Sequence, residues 1–320
     1  MRSCDLVVIG ASTGGVEALE QIVAKLPATL ACAVLVVMHV GRQSYLQEIL
    51  ARYSKLPVVS GEDGQMIYRG CIYVAPPGSH MRLRDSKIAL DHGPRENRHR
   101  PAIDPLFRSA ARIFRDRVAG IILSGALDDG AAGLFAIKSR GGVAVVQDPD
   151  TAVCGSMPAN ARRHTKVDHC VPLEKIAALI TKLGGRRRST RMEQVHAPEG
   201  HDKTIKKKVP VGKNGGDQIP VSCPECHGPL FEQRNGDSAY FHCDVGHSFA
   251  PESLTECHTE ALERALWIAV RTLRERISIQ RTLAVGARGG VGTTSEERFS
   301  EMADNAERDV ALLQEILERL

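Results

Sequence analysis

A serine lies between glycines in residues 10–14, which read Gly-Ala-Ser-Thr-Gly. The segment follows an apolar stretch at 6–9 that predicts a β-strand, and it precedes a helical pattern at 16–23. A serine on a sharp strand-to-helix turn exposes its hydroxyl, and the N–H groups at the start of the helix can stabilise an oxyanion. The segment therefore predicts that Ser12 is a nucleophile. A phosphate-binding loop or a plain turn is the alternative.

His39 and Asp129 are the candidates for the base and the acid that a nucleophilic serine needs. His39 follows a predicted strand at 33–38, and Asp129 follows one at 118–124. Because the carboxyl ends of parallel strands share one edge of a sheet, both side chains are expected beside Ser12. A nucleotide-binding oxidoreductase is disfavoured, because the glycines do not spell G-x-G-x-x-G and the chain has no Tyr-x-x-x-Lys pair.

The elements that must position these residues alternate between strand and helix over residues 5–183. This alternation predicts an α/β fold with a doubly wound, mainly parallel sheet. The predicted strands are 5–10, 33–38, 71–75, 118–124 and 142–147, and the predicted helices are 15–25, 103–115, 130–140 and 173–183. A hairpin insertion is predicted at 81–91, with its turn at Asp85-Ser86-Lys87.

Six ordered segments resemble the catalytic domain of chemotaxis-type protein-glutamate methylesterases, the CheB family. They are residues 8–15, Met38-His39, 70–81, 97–107, Leu123-Ser124-Gly125 with 129–133, and Ser156-Met157-Pro158. The resemblance covers about residues 5–183 and implies a methylesterase-like fold. It implies that Ser12 is the nucleophile, that His39 is the general base and that Asp129, rather than Asp128, is the orienting acid.

Five more residues are candidates around this site. Backbone N–H groups after the serine, at Thr13 and Gly14, are expected to bind the oxyanion. His80 follows a predicted strand and is a rival for the role of base, and Arg100 is expected to contact substrate together with its neighbour His99.

The family resemblance implies a serine carboxyl-esterase that hydrolyses glutamyl methyl esters on methylated chemoreceptor-type proteins and needs no cofactor for catalysis. It also implies that glutamine deamidation is a second activity. Relatives usually have an N-terminal receiver domain, and this chain begins at the catalytic strand, so a stand-alone enzyme is expected. The alternative is a non-catalytic signalling adaptor that binds a partner through its C-terminal tail.

A second group of residues has the spacing of a zinc site. It has the form C-x2-C…C-x3-H and consists of Cys223, Cys226, Cys243 and His247. Such a closed shell predicts a structural zinc in a small ribbon whose core is too small to fold without the metal. His242 or Cys257 in place of one ligand, or incidental cysteine pairs, are the alternatives.

The length of 320 residues is typical of several domains. The predicted domains are a methylesterase domain at 1–185, a basic flexible linker at 186–220, a zinc ribbon at 221–258 and a helical hairpin at 259–320. The linker is interpreted as a solvated tether, with an electrostatic patch for membrane or nucleic acid as the alternative. A signalling partner of the C-terminal tail is also expected.

The composition of the chain indicates which partners and which compartment to expect. Aromatic residues make up 4%, which disfavours nucleic-acid binding by base stacking. No apolar run of about 18 residues occurs, so membrane insertion is not expected. The nine cysteines are an odd number and predict thiols and metal ligands in a reducing compartment. Because residues 1–5 lead directly into a strand, no signal peptide is expected, and the predicted location is cytoplasmic.

Overall fold

The computed structural model describes residues 4–41, 43–185, 193–198, 216–235, 238–287 and 293–319. The chain divides after Leu254 into two compact units, and each is described by itself. The strands of the first unit are β1 (Leu6–Ala11), β2 (Ala33–Met38), β3 (Val58–Ser60), β4 (Ile72–Val74), β5 (His80–Arg84), β6 (Lys87–Asp91), β7 (Val118–Ile122), β8 (Val143–Gln147), β9 (His169–Val171), β10 (Asp217–Ser222), β11 (Pro229–Asn235), β12 (Ser238–Cys243) and β13 (Ser248–Phe249). The α-helices of the chain are α1 (Gly15–Lys25), α2 (Leu46–Tyr53), α3 (Ile103–Phe114), α4 (Ala131–Ser139), α5 (Ser156–His164), α6 (Leu173–Gly184), α7 (Pro251–Ala287) and α8 (Thr293–Leu317).

Seven strands form one sheet in the order β3-β4-β2-β1-β7-β8-β9, and every pair in it is parallel. All residues of β1 are buried, as expected for a parallel strand covered on both faces. Helices α1, α2 and α6 pack on one face, and α3, α4 and α5 pack on the other. The predicted doubly wound α/β fold is confirmed.

The predicted long strands and helices are all present, and the hairpin is formed by β5 and β6. Four shorter elements were not predicted: α2, β3, α5 and β9. The two missed strands have three residues each, which is too short for an alternating pattern to be recognised.

Part of the predicted flexible linker packs against the parallel sheet's domain. The N–H of Arg69 donates to the carbonyl of Glu193 at 2.9 Å, and the N–H of Val195 donates to the carbonyl of Ile67 at 2.8 Å. Val195 is fully buried in the core, which explains why this stretch is held although its neighbours are polar. The linker residues 186–192 and 199–215 lie outside the described residues.

The ribbon is a four-stranded antiparallel sheet in the order β10-β11-β12-β13. It begins at Asp217, and α7 begins at Pro251, directly after the last strand. Contacts place this sheet in the same compact unit as the seven-stranded sheet. A small antiparallel sheet is therefore present where the sequence predicts the ribbon.

The second unit contains α7 from Thr255 onward and α8. Arg281 on α7 donates to Asp304 at 2.5 Å and to Glu307 at 3.0 Å on α8, and this joins the two helices as the predicted hairpin. In the part of the chain that is described, no helix combines the length and the apolar character that a membrane span requires.

Candidate active site

The turn after β1 carries Ser12 at the centre of the parallel sheet. The N–H of Ser12 donates to the carbonyl of Ser124 at 2.9 Å, which ties the turn to the end of β7. A methyl group on Gly10 would lie 2.5 Å from Cγ2 of Ile103, so only glycine fits at this position. Gly14 has a φ of +74°, which glycine adopts without strain. The sequence thus forms a tight turn that leaves Ser12 half-buried and Thr13 exposed.

His39 is hydrogen-bonded to both of its predicted partners. Its Nδ1 lies 3.0 Å from Oγ of Ser12, and its Nε2 lies 2.7 Å from Oδ2 of Asp129. The side chains of His39 and Asp129 are only 6% and 2% exposed. Because a carboxylate can only accept, Nε2 carries the hydrogen of a neutral ring and Nδ1 presents its lone pair to the serine hydroxyl.

Asp129 is held as an anion by the start of α3. Its oxygens accept from the N–H groups of Ile103 at 2.7 Å and Asp104 at 3.2 Å, and from Nδ2 of Asn97 at 2.8 Å. Burial by itself would raise the pKa of Asp129. The hydrogen bond from His39, the electrostatic attraction to His39 and the hydrogen bond from the N–H of Ile103 outweigh the effect of burial. Together they lower the pKa of Asp129 to about 2.

His99 covers one face of the candidate base. Its ring is stacked on the ring of His39, with the centroids 3.5 Å apart and the planes inclined by 8°. Burial, followed by the charge of His39, lowers the pKa of His99 to about 4. His99 is therefore uncharged near neutral pH, and its ring packs face to face against the imidazole of His39.

The structure does not support His80 as a rival base. His80 is fully buried, and its Nε2 donates to the carbonyl of Pro94 at 2.9 Å. Its Nδ1 accepts from the N–H of Ala102 at 3.3 Å. Because backbone groups occupy both ring nitrogens, His80 has none left for the proton of Ser12.

Arg100 is engaged within its own loop. It donates to the carbonyls of His92 at 3.0 Å and Gly93 at 2.7 Å. The guanidinium therefore holds this loop, and the predicted contact with substrate has no support in this arrangement.

Asn97 is a site residue to which no motif in the sequence assigns a role. It is 1% exposed and bridges the two carboxylates Asp129 and Asp104, donating to them at 2.8 and 3.1 Å. Its position at the start of a segment that resembles the methylesterases was the available signal. Its contacts come from distant parts of the chain, which the sequence alone does not reveal.

Cys223, Cys226, Cys243 and His247 form a cluster whose ligand atoms all lie within 4.8 Å of one another. Nδ1 of His247 is 3.7 Å from Sγ of Cys223 and 3.5 Å from Sγ of Cys243, and the Sγ atoms of Cys226 and Cys243 are 3.5 Å apart. Ligands about 2.3 Å from a tetrahedral zinc are separated by about 3.8 Å, so the four groups fit a closed metal shell.

The two alternative ligands lie outside this cluster. The ring of His242 stacks on the ring of Phe231, with their centroids 5.7 Å apart. Cys257 belongs to α7 in the second compact unit. The arrangement therefore favours the four residues that the spacing predicted.

Residues 7–180 match a family model described as CheB methylesterase. A Leptospira interrogans protein named "Putative protein-glutamate methylesterase/protein-glutamine glutaminase" is 40% identical over 182 residues, which are 56% of this chain and 94% of that protein. The protein-glutamate methylesterase/protein-glutamine glutaminase 2 of Methanosarcina mazei is 35% identical over 189 residues, which are 56% of this chain and 52% of that protein.

The solved structure of the Thermotoga maritima CheB methylesterase catalytic domain is also similar. It superimposes with a TM-score of 0.54 and 32% sequence identity, over 57% of this chain and 100% of that chain. The likeness therefore extends from sequence to fold over the α/β part of the molecule.

Proposed function

Because this chain belongs to the CheB methylesterase family, we propose that it is a serine esterase that hydrolyses glutamyl methyl esters on chemoreceptor-type proteins. Ser12 is the nucleophile, His39 the general base and Asp129 the orienting acid. The observation that supports this is the position of His39, which is hydrogen-bonded to Ser12 on one side and to Asp129 on the other. Since relatives are named for glutamine hydrolysis as well, deamidation of glutamine side chains is a second activity of the same site.

Acylation begins when Oγ of Ser12 attacks the ester carbonyl and Nδ1 of His39 takes the hydroxyl proton. The ring then carries two N–H groups, and Asp129 stabilises the positive charge through the 2.7 Å hydrogen bond to Nε2. The oxyanion is stabilised by backbone N–H groups of the turn, at Thr13 and Gly14, each worth roughly 3 kcal/mol. Collapse breaks the ester C–O bond, and His39 returns its proton to the leaving methanol.

Deacylation repeats these steps with water as the nucleophile. His39 takes a proton from the water molecule as it attacks the acyl carbon, and it then protonates Oγ of Ser12 as the glutamate side chain leaves. His99 keeps one face of the imidazole covered during both steps. No cofactor takes part.

The first test measures methanol release from a methylated receptor fragment by the full-length chain. We expect release by the wild type and by Ser60→Ala, an exposed serine on the sheet edge, and a loss of at least about a thousandfold in Ser12→Ala. If no variant, including the folded wild type, releases methanol, the esterase proposal is wrong and the adaptor alternative is favoured.

We further propose that Cys223, Cys226, Cys243 and His247 hold a structural zinc ion. When bound, the ion supplies folding energy to the ribbon and takes no part in the hydrolysis. Metal analysis of the purified chain should find one zinc per chain in the wild type. It should also find one in Cys170→Ser, which removes an exposed cysteine outside the cluster, and much less in Cys226→Ser. Equal metal content in all three would contradict this site.

A further inference from the structure

The ribbon contacts the loop that supports the proposed triad acid. Residues 248–253, named the docking segment here, run from β13 into the first turn of α7. The N–H of Asn97 donates to the carbonyl of Ser248 at 2.8 Å, and Oδ1 of Asn97 accepts from the N–H of Ala250 at 2.8 Å. The docking segment therefore holds Asn97 through both its backbone and its side chain.

Asn97 transmits this contact to Asp129. With Oδ1 turned toward the N–H of Ala250, Nδ2 faces Asp129 at 2.8 Å and Asp104 at 3.1 Å. The opposite amide orientation would direct an oxygen at two carboxylates and an NH2 group at an N–H. The docking segment thus reinforces the amide orientation that donates to Asp129. Asn97 also has a φ of +48°, a region that asparagine occupies more readily than most residues.

A second route passes through Tyr240 on β12. Its hydroxyl donates to Oδ2 of Asp104 at 3.3 Å and accepts from Arg108 at 3.4 Å. The backbone N–H of Asp104 in turn donates to Asp129. A ribbon side chain is therefore two hydrogen bonds from the triad acid.

A third contact reaches the residue next to Asp129. Asp128 is 1% exposed, and its carboxyl group accepts from Oγ of Ser253 at 2.5 Å and from the N–H of Glu252 at 3.1 Å. The carboxyl group thereby caps the first turn of α7. This contact fixes the loop that carries both aspartates.

We propose that the ribbon is part of the catalytic unit, in which the docking segment and Tyr240 position Asn97 and Asp104, and these position Asp129. This proposal rests on the proposed esterase function. His247, a proposed zinc ligand, directly precedes Ser248. Metal binding therefore fixes the start of the docking segment, and turnover depends on the folded ribbon. Asn97 and Tyr240 are positioning residues, because they act through Asp129 and touch no reacting atom.

The kinetic test uses full-length variants and methanol release. Tyr240→Phe and Ser253→Ala each remove one hydroxyl that links the ribbon to the aspartates. Each is expected to lower kcat on the order of fivefold and to leave KM within about a factor of two. Asn97→Ala removes the amide group that joins the docking segment to Asp129, and it is expected to lower kcat by about tenfold or more. Tyr53→Phe, which alters an exposed tyrosine on α2, is the matched control and should match the wild type.

A second measurement needs no substrate. The hydrogen on Nε2 of His39, which Asp129 accepts, should give a downfield proton resonance in histidine-labelled protein. We expect this resonance to shift or broaden in Tyr240→Phe and in Cys226→Ser, and to stay unchanged in Tyr53→Phe and Cys170→Ser. Because Cys226→Ser also removes a zinc ligand, metal analysis of the same samples relates the spectral change to metal loss.

The two measurements separate the possible failures. If wild-type protein releases no methanol but the resonance responds as expected, the proposed esterase function is wrong and the positioning of Asp129 by the ribbon stands. An unchanged resonance and unchanged kcat in folded Tyr240→Phe and Ser253→Ala overturn the positioning role. A rise in kcat in these variants overturns it as well, because the ribbon would then restrain the site rather than support it.

Discussion

At the scale of single residues, the candidate site is defined by the different surroundings of its two histidines. His39 lies between a hydroxyl and a carboxylate, whereas His99 lies flat against it with its pKa lowered to about 4. A neutral ring beside the base adds no repulsion when His39 becomes positively charged. The shape of His99 therefore matters more than its ability to titrate.

His99→Phe and His99→Ala separate shape from chemistry. We expect the phenylalanine variant to keep kcat within about threefold of the wild type, because an aromatic face still packs on His39. The alanine variant should lose about tenfold, because the imidazole is then free to tilt away from Ser12. Methanol release is the measurement. Equal losses in both variants would instead indicate that a nitrogen of His99 takes part.

The sequence could place Ser12, His39 and Asp129 at one edge of the sheet, because each follows a predicted strand of a parallel fold. It could not separate His39 from His80, since both follow strands. The difference arises from the carbonyl of Pro94 and the N–H of Ala102, which occupy both nitrogens of His80. Contacts of this kind join residues far apart in the chain and leave no local pattern.

At the scale of elements, the candidate site depends on how α3 approaches the end of β1. Ile103 at the start of α3 lies against Gly10, and its N–H donates to Asp129. The same close contact thus packs the helix on the sheet and directs its N-terminus at the carboxylate. Any side chain at position 10 would collide with the side chain of Ile103.

Gly10→Ala is expected to lower both stability and turnover. The added methyl group would lie 2.5 Å from Cγ2 of Ile103, and overpacking of this kind costs about 1–3 kcal/mol. The displaced N–H of Ile103 should also weaken the hold on Asp129, so kcat should fall. Urea unfolding and methanol release measure the two effects. Gly41→Ala, where no atom lies within 4 Å of the added methyl group, is the control and should change neither.

The elements differ in how well they could be predicted from the sequence. Long buried strands such as β1 and β2 have continuous apolar runs and were predicted almost to the residue. For the C-terminal part, the sequence predicted a small ribbon and a helical hairpin but not the bounds of their individual strands and helices. The contact between the ribbon and the loop at Asn97 could not be predicted, because single hydrogen bonds between segments about 150 residues apart produce no periodicity.

At the scale of the whole molecule, Glu96 joins three separate parts of the first unit. It accepts from Arg82 on β5 at 2.8 Å and from Arg108 on α3, and its backbone pairs with Ser248 of the ribbon. Burial by itself would raise the pKa of Glu96, but Arg108 and Arg82 outweigh it and lower the pKa to about 2. Since this buried carboxylate bonds to both arginines, its protonation should loosen the whole unit.

Acid should therefore weaken the fold through Glu96. Its pKa is lower in the folded protein than in the unfolded chain, so its contribution is complete above about pH 4.5 and is lost as the pH falls towards 2. Between pH 6 and pH 3 the wild type should lose about 2 kcal/mol from this group alone. Urea unfolding at these pH values should show that Glu96→Gln is less stable than the wild type at pH 6 and that the gap narrows at pH 3. Glu62→Gln, an exposed carboxyl, is the control and should keep a constant difference.

The strand order of the parallel sheet has a consequence for how the protein behaves when crowded. An open sheet has two edges whose unpaired N–H and carbonyl groups can recruit strands from other chains and start aggregation. Here the edge strands β3 and β9 have three residues each, so each edge offers few groups for such pairing. The three strands that precede Ser12, His39 and Asp129 lie at the centre, with two strands on either side. A strand from another chain would therefore pair with a short edge strand, which lies two strands away from the nearest strand of the candidate site.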